Sequence, residues 1–132
     1  MKPSELLGQA TAPDGAVLKL IRRGSDYLIL ADDAVLMSSR MHGSEESLAA
    51  LGCQRARRLD RPRVLIGGLG MGFTLRATLD LLSPGASVVV AELSPAVVEW
   101  NRGPLGPLAG HPLHDKRVHV EMGDVAVMLR SN

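Results

Sequence analysis

Aromatic side chains are almost missing: Tyr27, Phe73 and Trp100 are the whole set in 132 residues. Proteins that grip single-stranded nucleic acid stack bases on such rings, so the scarcity disfavours that function. Cysteine is scarcer still. The lone Cys53 rules out an internal disulfide and fits a reducing compartment. Charge of one sign is also lacking, with 15 Lys and Arg against 14 Asp and Glu for a formal net charge of +1. That balance gives no reason to expect nucleic acid or an acidic substrate. No apolar run approaches the ~18 residues of a membrane span, and the opening M-K-P-S-E-L-L-G-Q has no apolar core of signal-peptide length. The expectation is a soluble cytoplasmic protein, with no nucleic-acid and no membrane partner.

What is present falls into three stretches. Residues 1–42 form the first. Up to Pro13 they read as a loose arm or short helix; then β-prone runs at about 16–22, 26–31 and 34–38 are punctuated by Gly24-Ser25 and Asp32-Asp33. A small antiparallel sheet follows from this. In the second stretch, 43–62, Ser44 is placed to cap a helix, with Glu45 and Glu46 at its positive end, Leu48 and Leu51 as its apolar face and Gly52 as its stop. Then Q-R-A-R-R-L-D-R-P-R carries five arginines in ten residues. Lacking aromatic neighbours, it reads as a solvated connector rather than a nucleic-acid patch. The third stretch, 63–132, reads α/β. A strand at Val64–Ile66 leads through a tight turn at Gly67–Gly72 into a helix from Phe73 to Leu82. Leu75, Leu79 and Leu82 make one stripe of that helix. A second strand follows at Ser87–Ala91, apolar throughout beyond Ser87 as in buried parallel sheets. Ser94-Pro95 opens a helix over 95–102 as N-cap and first residue. A third strand is expected at Arg117–Glu121 and a helical turn or two at 124–130.

The glycines at 68, 70 and 72 stand directly between strand and helix, and Glu92 ends the next strand 20 residues after Gly72. The chemistry of that order is specific. Missing Cβ atoms let the backbone turn sharply and let a ligand touch it. Amides at the start of the Phe73 helix meet an anion. A strand-end carboxylate offers acceptors to a ribose diol. Together they describe the nucleoside-cofactor unit of a doubly wound sheet.

Three pieces, V-L-I-G-G-L-G-M-G-F-T-L-R, V-V-V-A-E-L-S-P-A-V-V-E-W and R-V-H-V-E-M-G-D, resemble the spermidine/spermine synthase-like branch of the class I S-adenosylmethionine-dependent transferases. The likeness runs from about Gly15 to Arg130. It implies an α/β fold: a small N-terminal antiparallel β segment, then a partial Rossmann-like parallel sheet of the class I methyltransferase type. The implied cofactor is S-adenosylmethionine or its decarboxylated form, with methylthioadenosine or S-adenosylhomocysteine as product. Gly67, Gly68, Gly70 and Gly72 then match the loop around the methionine part. Glu92 matches the acid on the ribose, Leu93 the apolar neighbour of adenine, and Asp124 the acid near its amine. His42 and Glu45 stand near the substrate-side positions, for a small molecule that could be an amine.

Two departures qualify the resemblance. Polyamine-making members usually read G-G-G-D-G-G where this chain reads G-G-L-G-M-G, so Gly70 stands in place of an acid suited to a cationic amine. The family's catalytic acid follows a fourth parallel strand, and this sequence stops at Asn132 before one, which leaves the catalytic residues unknown. A truncated chain, a naturally short one and a partner supplying the rest all stay open. In this fold the Val64 strand would present an open apolar edge, so a homo-oligomer covering it is expected. His111, His114 and His119 form no set with a general base and no metal site with Cys53. Two rivals to the transferase are a non-catalytic cofactor-binding or interaction module and a fragment of an NAD-dependent dehydrogenase. Phe73 disfavours the second, which wants a small residue there.

Overall fold

The computed structural model describes residues 3–40 and 43–127. Its first half is a four-stranded antiparallel sheet in sequential order: β1 (Ser4–Thr11), β2 (Val17–Arg23), β3 (Asp26–Ala31) and β4 (Ala34–Ser38). Asp32 and Asp33 both take positive φ, 48° and 67°, which matches the right-handed strand twist of a tight β3–β4 hairpin. Asp32 Oδ1 accepts the Val17 N–H at 2.8 Å and Asp33 pairs with Lys19 at 3.0 Å, so the turn is tied back to β2. Leu18, Leu20 and Ile29 turn inward.

Helix α1 (Gly43–Gly52) leads into a three-stranded parallel sheet in the order β5 (Arg63–Gly67), β6 (Ser87–Glu92) and β7 (Val118–Met122). Helices α2 (Phe73–Leu81) and α3 (Pro95–Arg102) make the crossovers. The buried residues form one apolar cluster, joining Leu18, Leu20 and Ile29 to Ile66, Leu75, Leu79, Val88, Val90, Val97 and Trp100. Beyond the end of α2, Arg117 Nη1 donates to the Leu82 and Ser83 carbonyls at 3.1 and 3.2 Å, a cation where the helix dipole is negative. Hydrogen bonds from Arg117 hold the Asp115 carboxyl below the usual range, at about 2.

The antiparallel sheet followed by a parallel sheet with flanking helices is the expected architecture, with corrections in detail. Residues 4–11 are neither arm nor helix but a full edge strand. S-E-L-L-G-Q-A-T has little β propensity of its own; the seven residues of β2 offer it a pairing partner from Val17 to Arg23, and tertiary pairing overrides local preference. Helix α1 begins at Gly43, so Ser44 lies inside its first turn, where its hydroxyl donates to Glu45 at 3.3 Å. The buried face of α1 carries Ala49, with Cys53 just beyond the helix, while Leu48 and Leu51 are 62% and 67% exposed. The third parallel strand is displaced by one residue from the expected range. Residues 125–127 are helical; the rest of the expected C-terminal turn lies outside the described residues. Arg55, Arg57, Arg58, Arg61 and Arg63 are all exposed.

Candidate functional site

Every strand of the parallel sheet ends at the same rim, and the glycine turn is built there. Gly67 closes β5 opposite Ala91, and the Gly68 N–H donates to the Ala91 carbonyl at 2.7 Å. Gly68, Gly70 and Gly72 have φ of 92°, 56° and 87°, conformations that a residue with a Cβ rarely adopts. The Gly72 N–H returns to the Leu69 carbonyl at 2.9 Å and closes the turn; α2 starts at the next residue. The Gly70 and Met71 amides donate to no acceptor among the described residues.

Glu92 is half-buried at the end of β6 and fastens two turns at once. Its Oε1 accepts the Leu69 N–H at 2.8 Å and its Oε2 accepts the Ser94 N–H at 3.0 Å. A carboxylate has about four acceptor positions, so lone pairs remain for two further donors. Ser94 in turn caps α3, its hydroxyl accepting the Val97 N–H at 3.4 Å, with Pro95 at the first helical position as expected. Beside Glu92, Leu93 is exposed. On the neighbouring strand the Gly123 N–H donates to the Glu92 carbonyl at 2.9 Å, which brings Asp124 to the same rim. Asp124 is exposed and its Oδ1 accepts the Ala126 N–H at 2.8 Å. Val125 packs over Gly67, its Cγ1 3.1 Å from where a Cβ would stand.

A cavity of about 190 Å³ opens on the turn, walled by Gly67 to Met71, Phe73 and Thr74 and, from the first half of the chain, by Met37, Ser38 and Glu45. Glu45 is its one titratable group among the described lining residues. Gly67, Gly68, Gly70 and Glu45 are thus brought together. Gly72 shapes the turn from behind, while Glu92, Leu93 and Asp124 lie along the rim outside the cavity, joined to it through Leu69. His42 lies outside the described residues.

Two neighbours of the turn escaped sequence reasoning. Met37 comes from β4, and its Sδ stands 3.2 Å from where a Cβ on Gly70 would be. No local pattern marks a methionine at the end of one strand as the neighbour of a loop some thirty residues away. Asn101 is 2% exposed and donates from Nδ2 to the Gly70 carbonyl at 2.7 Å and the Val97 carbonyl at 2.8 Å. Its signal was available: an amide on the face of α3 that also carries Val97 and Val98, where an apolar residue is the default. Elsewhere, the His111 and His114 rings stack with centroids 4.8 Å apart, and His119 pairs with Glu121 at 2.8 Å. Among the described residues no group of three or more His, Cys, Asp or Glu could hold a metal ion, and no helix is long and apolar enough to cross a membrane.

No protein-family profile matches the chain, and no curated protein does. Solved structures do. A spermidine synthase in complex with the transition-state analogue AdoDATO superposes with a TM-score of 0.76 at 19% identity, over 96% of this chain and 43% of that one. The spermidine synthase of Thermotoga maritima gives the same score and identity, over 96% and 42%. A probable spermidine synthase of Corynebacterium glutamicum gives 0.58 at 15% identity, over 94% and 47%. The chain therefore spans less than half the length of these proteins. Over that span, an antiparallel sheet followed by a partial Rossmann-like unit with a glycine turn and a strand-end carboxylate, it has the spermidine synthase fold.

Proposed function

We propose that the chain binds an adenosyl sulfonium or thioether cofactor, S-adenosylmethionine or its decarboxylated form, and serves as the cofactor-binding part of a small-molecule transferase. One observation carries the reading: the Glu92 carboxylate holds the glycine turn through Leu69 N–H and keeps acceptor capacity for a ribose diol. The cavity supports it by size. At about 190 Å³ it is smaller than the roughly 300 Å³ at which pockets for whole drug-sized ligands begin. It suits the amino-acid end of the cofactor and the acceptor, with ribose and adenine running along Glu92, Leu93 and Asp124. The Gly70 and Met71 amides, which have no acceptor among the described residues, are donors for the carboxylate of S-adenosylmethionine. Among the described lining residues Glu45 supplies the one charge and suits an amine-bearing acceptor, a role His42 would share. When bound, a sulfonium supplies an electrophilic carbon with a thioether leaving group; the chain's own residues position it and exclude water. Isothermal titration against S-adenosylmethionine, its decarboxylated form, S-methylthioadenosine and NAD tests this. Heat with the adenosyl sulfur compounds and none with NAD is expected. A folded sample silent toward all four leaves the non-catalytic interaction module as the better reading.

The open edge of β5 carries the second part of the proposal, a homodimer. Among the described residues β5 pairs with β6 alone, and a groove of about 260 Å³ runs beside it, lined by Leu48, Cys53, Leu65 and Thr78 among others. An unpaired strand edge next to exposed leucines is a template for association. The outward strip along α1 has Leu48 and Leu51 in the middle and Arg55, Arg57 and Arg58 past its end. A second copy placed antiparallel across a two-fold axis sets the exposed leucines of one against those of the other, with the arginines at the polar rim. Sedimentation velocity at micromolar concentration should show a dimer that Leu48→Glu with Leu51→Glu converts to monomer. A monomeric parent chain would end this part.

A further inference from the structure

Asn101 does something that packing alone does not ask for. Its Nδ2 donates to two carbonyls, one in its own helix at Val97 and one across in the glycine turn at Gly70. That pair of acceptors fixes the orientation of the amide, because the reverse would set its oxygen against two carbonyl oxygens. The cost is visible on the other side. Asn101 Oδ1 is buried and has no donor, a rare state for a polar atom in a protein interior. It stands 3.1 Å from where a Cβ on Gly72 would be, with Pro112 and Ala109 on either side. Gly72 is therefore bare for two reasons, its φ of 87° and the room it leaves for this amide. A leucine on the buried face of α3 would avoid the unpaired oxygen altogether. The chain keeps a costly amide whose one non-local bond goes to the turn.

That bond has a geometric consequence. In a trans peptide the C=O of one residue and the N–H of the next point in opposite directions. Drawing the Gly70 carbonyl towards α3 turns the Met71 N–H away from α3, and Gly70, Met71 and Met37 all line the cavity. The Met71 amide is one of the two in the turn without an acceptor among the described residues. Resting on the cofactor reading above, we infer that Asn101 is a positioning residue for the amino-acid end of the cofactor: it sets the Gly70–Met71 peptide so that the Met71 N–H presents to that end.

Two variants separate this from a general packing role. In Asn101→Ser the short hydroxyl can still bond back to the Val97 carbonyl, four residues earlier, but cannot reach Gly70. Asn101→Leu removes both bonds and the unpaired oxygen together, so it guards against misfolding of the serine variant. Each is compared with the parent by the amide resonances of Gly70, Met71 and Gly72 in the free protein. Each is also titrated with S-adenosylhomocysteine, which has the amino-acid tail, and with S-methylthioadenosine, which lacks it. Both variants should shift the turn resonances and bind S-adenosylhomocysteine about tenfold more weakly, the scale of one hydrogen bond, with S-methylthioadenosine within about twofold of the parent. Equal losses for the two ligands, or unmoved turn resonances, overturn the positioning role while leaving the cofactor reading intact. A folded parent chain that binds neither ligand overturns both.

Discussion

Glu92→Ala should weaken binding of the adenosyl cofactor by about 1.5–3 kcal/mol, the scale for losing hydrogen bonds to a charged group. Read by isothermal titration, that is a loss of roughly ten- to 150-fold. The same change should lower stability by about 1–3 kcal/mol, because it leaves the Leu69 and Ser94 amides without their acceptor in a half-buried place. The two effects have separate origins, and Glu92→Gln separates them. A glutamine oxygen can still accept one of the two N–H groups, but the NH₂ then faces the other amide and has no lone pair for a ribose hydroxyl. Affinity should fall nearly as far as with alanine while part of the stability returns. An unchanged dissociation constant in Glu92→Ala would refute the role given to this carboxylate. An unchanged melting point would show that it does not hold the turn.

The second large effect is expected far from the rim. Gly8 sits at the irregularity in β1, where the register against β2 shifts between Leu6 and Gly8. A Cβ there would run into Trp100 Nε1 and come within 3.0 Å of its Cε2. Trp100 is buried on α3, a helix that meets β1, and its ring faces Gly8. A valine at position 8 must displace either a β-strand paired on one side or a large ring held in the core. Gly8→Val should therefore destabilise by about 3 kcal/mol, the upper end for overpacking. In a chain of 132 residues that lowers the melting temperature by roughly 10 °C. Gly52→Ala is the control: nothing lies within 4 Å of a Cβ at the end of α1, and it should melt at or slightly above the parent. If Gly8→Val melts with the control, β1 does not seat against Trp100 as described. Because Asn101 follows Trp100 on α3, a real displacement of the ring should also disturb the glycine turn.

Gly70 shows how one position is decided twice. From the sequence it is the place where polyamine-making members have an acid. In the structure its φ is 56° and Met37 Sδ occupies the space a side chain would need. Aspartate at this position would have to hold a positive φ and push the Met37 tip aside by a few tenths of an ångström.

What the sequence determined by itself was whatever repeats within a few residues. The strand, bare turn and helix from Val64 to Leu82 were legible because apolar run, glycine spacing and the Leu75-Leu79-Leu82 stripe are local patterns. The same holds for the Ser94-Pro95 start of α3 and for the hairpin at Asp32-Asp33. Tertiary structure decided what depends on partners distant in the chain. Ser4–Thr11 became a strand because β2 was there to pair with it. The outward face of α1 is Leu48 and Leu51 because the helix packs on α2 with the small Ala49 buried. Above all, the site acquired Met37 from the first sheet, and Asn101 from behind, through contacts between segments tens of residues apart. No periodicity encodes such contacts, since each is fixed only when both elements have been packed on the shared core.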